Sequence, residues 1–167
     1  MKKIISALLL FMCAYAGPAF ADSAADVKQE MDALAGKVLT EALQHIQKGG
    51  PIYPFAFLMD SKQEVKIVGY TGEVSLRLPA DEFAGTLIKL IRSKARENSS
   101  WKTAALAKMH TVQAEGQSIT GVWILVDHVD APAWVVFQPL IRDDKPNHYS
   151  LGKQVYAPSD ESLFLSK

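Results

Sequence analysis

Residues 104–140 read AALAKMHTVQAEGQSITGVWILVDHVDAPAWVVFQPL, and the fold turns on how this stretch divides. Three runs of strand length, Ala104 to Val112, Ser118 to Asp127 and Ala133 to Leu140, are separated by Glu115-Gly116-Gln117 and by Asp127 to Pro132. Connections this short join antiparallel neighbours, because a parallel pair needs a crossover of a dozen or more residues. The runs therefore predict a three-strand meander. Val122-Trp123-Ile124-Leu125-Val126 and Trp134-Val135-Val136-Phe137 are apolar at both parities, so the sheet centre must be covered on both faces.

The covers are found upstream. Ser23 is read as an N-cap, followed by apolar positions Val27, Met31, Leu34, Val38, Ala42 and Ile46 in steps close to three and four, and the helix stops at Gly49-Gly50-Pro51. Phe55 to Met59 and Val65 to Tyr70 flank the polar Asp60 to Glu64, which predicts a hairpin whose first strand starts after Pro54. Glu73 to Leu78 alternates apolar and polar residues, as in a strand or extended arm. Pro79-Ala80-Asp81-Glu82 then opens a second helix with Phe83, Leu87, Leu90 and Ile91 on one face, ending near Asn98. The tail from Arg142 to Lys167 is polar, with a turn at Asp143 to Asn147, a short strand at Lys153 to Tyr156 and a cap at Ser159 or Asp160 before a brief apolar end.

Helix, hairpin, helix, meander is the order of an α+β domain, an antiparallel sheet of about five strands with helices packed on it. Over residues 23–140 this order is similar to the roadblock and profilin group of folds. Tyr53-Pro54-Phe55-Ala56 with the Asp-containing turn after it, together with Val135-Val136-Phe137-Gln138-Pro139-Leu140, resembles an uncharacterised family of small bacterial domains. That resemblance implies no activity, and no functional residue is carried over from it.

The first residues read as an address. Lys2-Lys3, the apolar run Ile4 to Ala16 and Ala19-Phe20-Ala21 form the three regions of a signal peptide, with cleavage expected after Ala21 and a periplasmic or secreted product. The run is shorter than the roughly 20 residues that span a bilayer, and no later stretch is long enough. Cys13 follows Phe11-Met12 rather than the small residues of a lipoprotein signal. Removing 21 of 167 residues leaves 146, read as one globular domain at 22–167, and loss of Lys2 and Lys3 leaves 16 basic against 18 acidic side chains. Such a balance gives no basic excess for nucleic acid. The remaining chain has no Cys, hence no disulfide, thiolate nucleophile or Cys-ligated metal, and its stability is expected from packing alone.

Chemistry is sparse. Asp127, His128 and Asp130 place three potential ligands in one loop, and Asp143, Asp144 and His148 form a second polar group. Were the two loops brought together, they would suit a metal-dependent enzyme. The ordinary reading is that Asp residues between strands bond turn amides. His45 and His110 read as surface or satisfied imidazoles. No G-x-S-x-G or S-x-x-K arrangement and no glycine-rich phosphate cradle is present, so neither a hydrolase nor a nucleotide cofactor has support, and no cofactor is expected. The aromatic set Tyr53, Phe55, Phe57, Tyr70, Trp101, Trp123 and Trp134 remains, of which Tyr53, Phe55, Trp101 and Trp134 are the candidate partner-binding residues. The expectation is a non-enzymatic module that engages a protein partner or a second copy through a sheet edge or aromatic patch. An immunity-type role is one form of it, and a small-molecule sensor is the alternative.

Overall fold

The computed structural model describes residues 19–49, 52–70, 72–73, 77–114, 116–144 and 148–164, with backbone only at 19–23. Helix α1 (Ala19–Gln47) precedes the hairpin of β1 (Phe55–Asp60) and β2 (Val65–Val68). Helix α2 (Ala80–Glu97) leads into β3 (Trp101–Ala114), β4 (Gln117–His128) and β5 (Ala131–Arg142), and the tail adds β6 (Tyr149–Leu151) and β7 (Val155–Pro158). All pairings are antiparallel, in the order β2-β1-β3-β4-β5-β6, with β7 also on β5. The element order is the expected one, and among the described residues the sheet has seven strands rather than about five. Residues 1–18 of the leader, the centre of the 73–78 alternation, and most of the 143–147 turn lie outside the described residues.

The two-sided apolar pattern of β4 and β5 has the consequence foreseen for it. Val122, Ile124, Val126 and Val136 pack with Phe57, Ala105 and the α1 stripe Met31, Leu34, Val38, Ala42 and Ile46 on one face. Leu125 and Ala133 pack with Leu58, Leu106 and the α2 residues Ala84, Leu87 and Ile91 on the other. The second face is completed by Leu163 and Phe164 of the tail, both buried.

Local details depart from the sequence reading in two places. α1 begins at Ala19, so Ser23 lies inside the helix and does not cap it: the alanine-rich start carries helical propensity past the serine. In α2 the buried steps are Ala84, Leu87 and Ile91, while Leu90 is exposed and Phe83 half-buried. Pro79 occupies the N-cap without a side-chain bond, and Asp81 and Glu82 in the first turn complement the helix dipole. Lys108 of β3 donates to Asp81 at 2.6 Å and holds its carboxyl below the usual carboxylate range. The contribution of that contact is present at neutral pH and is lost as the pH falls through the depressed value.

The β1–β2 turn follows from Asp60, whose Oδ1 accepts the amides of Lys62 and Glu64 at 2.8 and 2.9 Å, with Gln63 at φ 63°. Gly121 in β4 is required for a different reason. A Cβ there would strike the Gln138 carbonyl and come within 2.7 Å of the Phe137 ring, which lies across the glycine. Gly121→Ala is therefore expected to cost about 2–3 kcal/mol by overpacking, measured by denaturant unfolding. An unchanged midpoint would show that the strand pair yields freely.

Candidate functional site

Asp127 ends the core part of β4, where the strand alternation turns its side chain to the α2 face, and its side chain is buried. Its Oδ2 accepts Ser162 Oγ at 2.6 Å and the amides of Leu163 and Phe164 at 2.8 and 3.2 Å, and its Oδ1 accepts the His128 amide at 2.8 Å. Arg92 of α2 donates to the Ser162 carbonyl at 2.6 Å. Asp127 thus receives four donors from the protein and fastens the C-terminal segment under α2. A carboxylate so occupied has little capacity left for a metal.

His128 is buried beside it and faces the other helix. Its Nδ1 accepts the Asp130 amide at 3.0 Å, which places the ring proton on Nε2, 3.3 Å from Glu30 of α1. The ring ties the β4–β5 turn to the first helix. Asp130 is exposed, with its carboxylate 4.0 Å from His128 Nδ1. His148 Nδ1 meets Asp143 at 2.9 Å, and the Asp143 amide donates to the His148 carbonyl at 3.0 Å, closing the turn between β5 and β6. The two polar loops therefore stand at opposite ends of β5, about 35 Å apart at 3.3 Å per residue. Among the described residues no group of three or more His, Cys, Asp or Glu side chains could hold a metal ion. No described helix is long and apolar enough to cross a membrane.

The four aromatic candidates separate into three places. Trp101 is buried on the α2 face, with Lys66 5.4 Å from its ring centre. Tyr53 and Phe55 line a cavity of about 460 Å³ at the C-terminal end of α1. Trp134 lines a groove of about 770 Å³ between the N-terminal part of α1 and the β5–β7 edge. The walls of this groove include Val27, Met31, Pro132, Trp134, Tyr156 and Pro158, with Lys28 and Asp130 as its charged members. Trp134 is held in place: its Nε1 donates to Met31 Sδ at 3.3 Å, Lys28 lies 5.3 Å from its ring centre, and Tyr156 stands 6.3 Å away.

Tyr156 was not visible as a site residue because β7 is exposed throughout and carries no alternating pattern. Its position follows from the break between β6 and β7. Buried Gln138 donates through Nε2 to the carbonyls of Gly152 and Pro139, at 2.8 and 3.1 Å, and so secures the chain where its pairing with β5 shifts by one residue. No protein-family model matches the chain, and no curated protein or solved structure matches it either.

Proposed function

We propose that this chain is an exported, non-enzymatic binding module that takes an extended segment of a protein partner as an added strand along β7. The supporting observation is the coincidence of a sheet edge left unpaired among the described residues with the Trp134–Tyr156 groove. The Ser159 amide donates to the Ala133 carbonyl at 3.0 Å, and Trp134 stands opposite Pro158. By the alternation of an antiparallel ladder, Ala157 and Val155 then bond inward to β5, and the Tyr156 N–H and C=O face outward. Pro158 offers a carbonyl and no N–H. An incoming strand would find one donor and two acceptors on this edge, and a neighbouring apolar groove for its side chains. The opposite edge, β2, carries Lys66, a residue type that discourages strand addition. Export rests on the leader read in the sequence.

Selection from a random peptide library against the purified protein tests this reading. Bound peptides are expected to alternate apolar and polar residues. Their affinity should fall at least tenfold with Tyr156→Pro, which removes the outward N–H, and with Trp134→Ala, which empties the groove wall. Peptides that bind both variants as well as the wild type would refute the assignment. Sedimentation of the same proteins identifies whether the added strand comes from a second copy, by a dimer that Tyr156→Pro dissociates.

A further inference from the structure

At the other end of α1, Tyr53, Tyr70 and Phe83 form a ring cluster that the first binding surface does not use. Tyr53 stacks on Phe83 with centroids 4.8 Å apart, and Tyr70 meets both edge-on at 5.6 and 5.9 Å. The Tyr53 hydroxyl donates to the Leu78 carbonyl at 2.8 Å, and the Tyr70 hydroxyl donates to the Glu73 carbonyl. These bonds hold the chain that carries Arg77 against the rings. The Arg77 guanidinium carbon lies 5.0 Å from the Tyr53 ring centre and 5.4 Å from that of Tyr70. Desolvation raises the Tyr53 phenol above its ordinary value while Arg77 opposes the rise, so the hydroxyl remains a donor at neutral pH.

Among the described residues no acid pairs with Arg77, nor with Lys48 on the same cavity. Glu41, the acid on that wall, is taken by His45 at 3.0 Å. The rest of the lining is largely apolar and includes Ile52, Pro54, Phe55 and Ile67. A guanidinium held over aromatic faces keeps its N–H fork available, which matches a carboxylate in two parallel hydrogen bonds. Arg77 and Lys48 against the one carboxylate on this wall leave room for a single negative charge. The C-terminal carbonyls of α1 disfavour an anion close to Lys48, although the Lys48 and Gly49 amides occupy those of His45 and Ile46. The anion therefore belongs at Arg77, with its apolar body against Tyr53, Phe55 and Ile67.

We propose that this cavity binds a small monocarboxylate with an aromatic or branched aliphatic body, its carboxylate on Arg77. About 460 Å³ is within the range of small-molecule sites. The site is separated from the Trp134 groove by the ten residues of helix from Met31 to Glu41, about 15 Å along α1. Failure of either proposal leaves the other standing.

The test is calorimetric titration of the purified protein with 3-phenylpropionate, with 3-phenylpropanamide as the uncharged control. Saturable binding of the acid is expected, at least tenfold tighter than that of the amide and weakened by added salt. Arg77→Gln should weaken acid binding about tenfold and leave the amide unchanged, while Arg77→Lys should recover part of the loss. Thermal unfolding of the variants shows that the ring cluster is retained. If Arg77→Gln loosens it, Lys48→Gln serves instead, with a threefold or greater loss for the acid alone. Equal binding of acid and amide, no saturation by either, or acid binding indifferent to both substitutions would overturn the proposal.

Discussion

Asp127→Ala is expected to destabilise the protein by about 3–5 kcal/mol, because several buried hydrogen bonds to one carboxylate, each worth about 1.5–3 kcal/mol, are lost together and only partly recovered by relaxation. Four donors converge on this carboxylate, and three of them belong to residues 162–164. Alanine leaves the amides of Leu163 and Phe164 buried without partners, at about 1–3 kcal/mol for each unsatisfied group where the segment cannot move into water. The segment can escape by detaching, which limits the total and predicts the form of the damage: loss of the tail before loss of the sheet. Asp127→Asn keeps one acceptor oxygen but presents an NH2 to a donor, and an intermediate loss of about 1–3 kcal/mol is expected. Denaturant unfolding measures both. An alanine variant within 1 kcal/mol of the wild type would mean that these hydrogen bonds are matched by water in the unfastened state.

Ending the chain after Pro158 is expected to be as damaging by a different route. Leu163 and Phe164 are buried in the cluster under α2. Their loss removes about 1.5–3 kcal/mol of apolar burial each, and Asp127 loses three of its four donors. A net cost of about 4–6 kcal/mol is a large part of the 5–15 kcal/mol that holds a domain of this size. For about 150 residues this lowers the melting temperature by about 10–20 °C. Hydrogen exchange in α2 should rise most, because the lost residues cover its buried side, while β3–β4 pairing should stay protected. Unchanged protection of α2 would show that the helix holds its place without the tail.

The framework was legible because its signals are periodic. The stripe from Val27 to Ile46 could only be a one-sided helix, and residues apolar at both parities in β4 and β5 demanded two covers. β6 and β7 were not fully legible: three and four residues long and mostly exposed, they alternate nothing, and they exist because β5 had an open side. The tail was obscured for a related reason, since two buried residues at 163 and 164 cannot make a period. Asp127 shows the limit most clearly. Its neighbours His128 and Asp130 suggested ligands, and an Asp between strands suggested a turn, whereas three of its four partners lie 35 to 37 residues away. The same distance effect applies to Trp101 and Phe55: sequence marks them as large rings, and only the packing against the helices decides that both are interior.

A double-mutant cycle between Asp127→Asn and the chain ended after Pro158 addresses most directly the claim that Asp127 is a structural fastener for the C-terminal segment rather than a reactive group. If the carboxylate acts through residues 162–164, the two changes together should cost at least 1 kcal/mol less than the sum of their separate effects, with Asp127→Asn nearly silent once the tail is gone. Separate effects that add to within about 0.5 kcal/mol would place the role of Asp127 elsewhere and contradict the account.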